Sequence, residues 1–213
     1  MSYEGKMLEE LKMPTRQEVE QAVLKALFNH NGVIREFGAG EEIVEEIAND
    51  FGLNEVQRTA YLQTTYRKED RVKKSYLWHR LLFRAADSLA KQELVSRPTQ
   101  TMLLTNRREW MLTEAGYERA LKALRIPMDQ KEVLPIVSYE VQKIVKELRE
   151  QERPKDYDPF ETNKKIAKIT QETRLRNRAF RQAVIEAYGF KCAVCGMKIY
   201  SPNTLQWEVE AAH

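Results

Sequence analysis

The chain has 213 residues, enough for one or two domains. Its 42% hydrophobic and 31% charged content excludes a disordered polymer and fits a globular protein. No apolar run approaches the roughly 18 residues of a transmembrane helix, and the MSYEGKMLEELKM start lacks a signal-peptide core. The expected setting is therefore the cytoplasm, with no membrane partner.

Residues 1–13 read as a mobile or short helical lead. Pro14-Thr15 opens a helix that turns Val19, Ala22, Val23, Ala26 and Leu27 inward. It stops at Asn29-His30-Asn31-Gly32, where His30 reads as part of the cap rather than a ligand. Glu41–Phe51 predicts a second helix, with Ile43, Val44, Ile47 and Phe51 inward. Its acidic residues, Glu41, Glu42, Glu45 and Glu46, should point away from any polyanion. Asn54 predicts the cap of a third helix running to about Tyr66. Residues 72–92 predict a long helix on Tyr76, Leu77, Leu81, Leu82, Ala85 and Leu89. Leu94–Arg97, Met102–Leu104 and Glu109–Leu112 read as strand pieces, with Asn106-Arg107-Arg108 as a turn. A helix then runs from Thr113 to about Leu124, and Trp78 and Trp110 are expected in the core.

This order is that of a winged helix. Three pieces carry a resemblance to the N-terminal domain of Mrr-type restriction proteins, over roughly residues 13–125. They are the MPTRQEVEQAVLKAL opening, the WHRLLFRAADSLAKQELV stretch and the WMLTEAG close. In such domains a helix enters the major groove and a hairpin wing touches the backbone or minor groove. The resemblance thus implies double-stranded DNA as partner. Lys73, Lys74, Arg80 and Arg84 lie in the acid-free run from Arg71 to Arg84, and Arg107 and Arg108 fall at the expected wing tip. The competing reading makes them a solvated helix face and a polar turn.

Residues 126–160 read as a helical connector, punctuated by Pro127, Pro135, Pro154 and Pro159, with a helix over Tyr139–Glu150. No glycine-rich phosphate loop occurs, so no nucleotide hydrolysis is implied.

From Lys164 onward nine basic residues face four acidic ones, a balance of +5, which leaves −2 for the rest of a chain whose net charge is +3. The C-terminal segment carries the polyanion-seeking charge. Arg174, Arg178 and Arg181 fall on one helix face at i, i+4, i+7. Arginine forks match phosphate oxygens, although a merely solvated face has the same pattern. Cys192 and Cys195, with Gly196 after them, have the spacing of half a tetrahedral zinc site. A redox pair or two buried thiols remain alternatives. As the only two cysteines, at zinc spacing, they suit a reducing compartment.

The basic helix, the CAVCG knuckle and the strand ending Glu210-Ala211-Ala212-His213 together resemble the first half of an HNH (ββα-metal) endonuclease, over residues 174–213. The resemblance implies His213 as general base, Mg²⁺ or a similar divalent ion for catalysis, and a structural Zn²⁺ on Cys192, Cys195 and a further pair. Relatives often place a metal-binding acid or histidine immediately before the base. Here that residue is Ala212, and Glu210 is the substitute candidate. The family's second half supplies an Asn and further His, so residues 1–213 by themselves are not expected to cleave DNA.

The expectation is a mainly α protein with small β hairpins (α+β). It comprises a winged helix over 13–125, a connector over 126–160 and a partial ββα-metal module over 161–213. The function expected is that of a DNA endonuclease of restriction or phage-defence type. The alternative is a non-catalytic DNA-binding winged-helix regulator with a zinc-ribbon-like tail. A homodimer is left open.

Overall fold

A computed structural model of the chain describes residues 3–38, 40–66, 71–126, 136–150, 178–187, 189–191, 200–201 and 206–207. The chain divides into two compact units, Met1–Ile126 and Pro127–His213. It is mainly helical, with small antiparallel sheets. Among the described residues, no helix is long and apolar enough to cross a membrane.

The first unit begins with α1 (Tyr3–Glu10) and α2 (Arg16–Asn29). Thr15 caps α2 as expected: its hydroxyl oxygen accepts from Glu18 N, and the Glu18 carboxylate accepts from Thr15 N at 2.7 Å. After β1 (Val33–Arg35) come α3 (Glu42–Asp50) and α4 (Glu55–Thr59). Strands β2 (Tyr61–Tyr66) and β3 (Arg71–Tyr76) form an antiparallel pair, and β3 runs without a break into α5 (Leu77–Lys91). Then follow β4 (Val95–Ser96), α6 (Pro98–Thr105), β5 (Glu109–Leu112) and α7 (Glu114–Leu124).

The core forms where α2 packs on α5, α7 and β5. On α5, Leu77, Trp78, Leu81, Leu82, Ala85, Ala86 and Leu89 are buried, a stripe at helical spacing. Trp78 donates its Nε1 hydrogen to Val44 O at 3.1 Å, which fastens α5 to α3. Trp110 is buried on β5, so Trp78 and Trp110 are core residues, as expected. Strand β5 is central in a three-stranded antiparallel sheet of order β1-β5-β4. Met111 pairs with Val33 on one side and Ser96 on the other.

Three expectations are corrected. The third helix ends at Thr59 rather than near Tyr66. The long helix begins at Leu77 rather than at residue 72. Between them lies the β2–β3 pair, in register Tyr61 with Tyr76 through Tyr66 with Arg71. Its threonines, tyrosines and Val72 favour extended chain, but an amphipathic helix follows directly and its period masks the strand. Met102–Leu104 belongs to helix α6, not to a strand. Pro98 occupies the first turn, Gln100 Oε1 accepts from Arg97 N at 2.8 Å, and Asn106 closes the helix at φ 57°. A three-residue apolar run does not distinguish strand from helix, and here the caps decide.

In the second unit, α8 (Tyr139–Glu150) packs against α9 (Arg178–Ala187). Val141 and Val145 of α8 are buried against Ala179 and Ala183 of α9. Gln142 of α8 donates to Glu186 at 2.9 Å. The segment read as a connector thus shares an apolar contact with the basic helix. Tyr200–Ser201 (β6) and Gln206–Trp207 (β7) form a short antiparallel pair.

Candidate nucleic-acid interface

The cations expected at a DNA surface do not share one environment. Arg80 and Arg84 lie one turn apart on α5 and converge on one carboxylate, Glu4 of α1. Arg80 Nη2 donates to Glu4 Oε2 at 2.8 Å, and Arg84 Nη1 lies 2.8 Å from Oε1. The Glu4 side chain is only 11% exposed. Burial by itself would raise the Glu4 carboxyl. Hydrogen bonds and charge from Arg80 and Arg84 outweigh it and hold the group below the ordinary 4.5. Further along α5, Asp87 is paired with Lys91 and Arg97 at 3.0 and 2.8 Å. The charged residues on the outward face of α5 are therefore engaged in internal ion pairs.

Arg107 and Arg108 follow α6 in the β4–β5 connection, so they are not at the tip of a simple hairpin. Arg108 makes a two-pronged pair with Glu36, at 3.1 and 2.8 Å, which pushes its pKa up by hydrogen bond and charge. Arg107 is exposed and borders an open hollow of about 690 Å³ that also carries Glu41, Glu42 and Glu109. The carboxylates there make it a poor phosphate site. Of the acidic residues on α3, Glu45 pairs with Arg58 and Glu46 with His30. His30 is thus engaged by Glu46, and its backbone N–H caps α2.

Lys73 and Lys74 stand on β3, not on a helix. Lys74 is exposed, and its Nζ lies 4.8 Å from the centre of the Tyr61 ring on the facing strand. Tyr61 and Tyr76 are cross-strand partners at the base of the hairpin and both remain exposed. The base is fixed to the fold because Leu77 N donates to Ala60 O at 2.9 Å. Tyr76 also meets the His79 ring at 5.4 Å. His79 is half-buried, and burial lowers its pKa more than the charge of Glu45 raises it.

Arg178 and Arg181 lie on α9; their side chains, and all of Arg174, fall outside the described residues. So do Cys192, Cys195, Glu210 and His213. Among the described residues, no group of three or more His, Cys, Asp or Glu could hold a metal. Sequence reasoning missed Glu4, Glu36 and Tyr61, and it read Tyr76 as an inward helix position, whereas Tyr76 ends strand β3 and is exposed. Only the two tyrosines left a signal, as matching aromatic ends of two six-residue β-prone runs. Compared with known families, curated proteins and solved structures, the chain shows no match.

Proposed function

We propose that the chain is the DNA-engaging part of an HNH-type endonuclease. In this reading the first unit is a winged helix and residues 161–213 are the N-terminal part of the nuclease module. The carrying observation is the connectivity of the first unit. Helix α2, strand β1, helices α3 and α5, and strands β4 and β5 come in winged-helix order around a sheet of order β1-β5-β4, with α4 added before α5 and α6 added between β4 and β5. The β2–β3 hairpin is then an insertion before α5, the helix this reading directs to the groove.

The nuclease half rests on the residues that resemble the family. The chemistry implied is phosphodiester hydrolysis with His213 as general base, and a divalent ion supplies charge stabilisation when bound. Cys192 and Cys195 supply half of a structural zinc site in the same reading. Two thiols at metal spacing suit a reducing cytoplasm.

The test is fluorescence anisotropy of the full chain with a labelled duplex across a salt series. Binding through several phosphates should weaken by on the order of 10²–10³ between about 50 and 200 mM salt. Reversing Arg178 and Arg181 to Glu should lower affinity and flatten that dependence, with an unchanged thermal melt. No binding, or binding insensitive to salt, contradicts the DNA reading. An unchanged double reversal removes α9 from the interface.

A further inference from the structure

We infer that the β2–β3 hairpin is the principal duplex-DNA contact of the first unit, a two-stranded ribbon that enters a groove ahead of α5. The inference rests on the DNA-binding reading above and assigns the work to different residues. Strand β2, YLQTTY, carries no charge, and β3, RVKKSY, carries Arg71, Lys73 and Lys74 with no carboxylate. Those strand residues hold as much net positive charge as the whole chain, whose balance is +3.

The contrast with the paired cations Arg80, Arg84, Arg97 and Arg108 is what points to a ligand. Arg80 and Arg84 share the Glu4 carboxylate, Arg97 pairs with Asp87, and Arg108 with Glu36. Lys74 has no ion pair among the described residues, is exposed and lies against the Tyr61 ring. Lysines on exposed strands also discourage edge-to-edge pairing, but mixed signs serve that purpose equally well. The paired strands carry charge of one sign, the four residues that join them (Arg67, Lys68, Glu69 and Asp70) balance to zero, and exposed Tyr61 and Tyr76 flank the base. Together they supply what a nucleic-acid backbone needs: cations for phosphates and flat polar rings for sugar or base edges.

Geometry selects the duplex. Six paired residues per strand make a ribbon roughly 20 Å long at about 3.4 Å per residue. The major groove, about 12 Å wide, admits such a ribbon. Because β3 continues directly into α5, a ribbon in the groove brings the first turn of α5 toward the same DNA.

The experiment is anisotropy with the full chain, using a labelled duplex of about two turns and a single strand of the same sequence. Lys73→Glu/Lys74→Glu should weaken duplex binding by roughly 50-fold at about 0.1 M salt and flatten the log–log salt slope by about 2. The thermal melt should not change. Lys74→Gln, which removes one exposed charge, provides a milder variant if the double reversal fails to fold. It should weaken binding by roughly 8-fold. If the native chain binds duplex with a steep salt slope but these variants bind equally well, the hairpin assignment is overturned and the DNA reading stands. A native chain that binds no duplex overturns both. Preference for the single strand overturns the groove assignment.

Discussion

Gly116→Ala should destabilise the first unit by about 3 kcal/mol, despite placing a better helix former in α7. Thr113 caps α7: its hydroxyl oxygen accepts from Gly116 N at 2.9 Å, and the hydroxyl donates to Glu93 O at 2.7 Å. Thr113 N also donates to Leu94 O at 3.1 Å. These bonds draw the first turn of α7 onto the backbone before β4. A methyl group on Gly116 would lie 1.8 Å from Leu94 O and 2.8 Å from Leu94 C. Backbone on both sides cannot yield as the end of a side chain could, so either the cap or the β4–β5 pairing must open. A melt of the variant should fall by about 10 °C. Gly38→Ala is the control, because its added carbon meets only the Glu41 side chain at 3.5 Å. Equal melts for the two variants would show that the approach of α7 to Leu94 is not required.

The second large effect concerns Glu4. Its carboxylate holds both Arg80 and Arg84, so phosphate must compete with it for them. Glu4→Gln removes the charge while leaving a side chain of similar size. Two released arginines should raise duplex affinity roughly 10- to 50-fold at about 0.1 M salt and steepen the salt slope by about 2. The pH dependence has a defined sign. The folded-state pKa of Glu4 lies below 4.5, so the clamp is fully present above that value and is lost as pH falls through the lower folded value. A stability profile between neutral and strongly acid pH should lose that component in Glu4→Gln. Unchanged or weaker DNA binding by the variant would show that α5 does not face the nucleic acid.

What the sequence revealed depended on the range of the interactions. Thr15 with Glu18, and Thr113 with Gly116, are local caps three residues apart, so α2 and α7 could be placed from sequence. The apolar stripe of α5 was equally plain from Leu77 onward. Strand β1 was missed because three residues are too few to show alternation. The hairpin was missed because Lys73 and Lys74 directly precede a strong helical period. Glu4 could not have been linked to Arg80, since they lie 76 positions apart in sequence and only the tertiary fold brings them together. A run of cations in a sequence says where positive charge is. Which of those cations remain free of carboxylates is settled by tertiary contacts, and that separated Lys74 from Arg80, Arg84 and Arg108.

The most direct test uses residues 1–126 alone, the first compact unit. This fragment retains the buried stripe of α5, the β1-β5-β4 sheet and the β2–β3 hairpin. It should melt cooperatively and bind a labelled duplex, with affinity falling steeply between about 50 and 200 mM salt. A fragment that melts cooperatively yet leaves the duplex unbound would contradict the claim that this unit engages DNA.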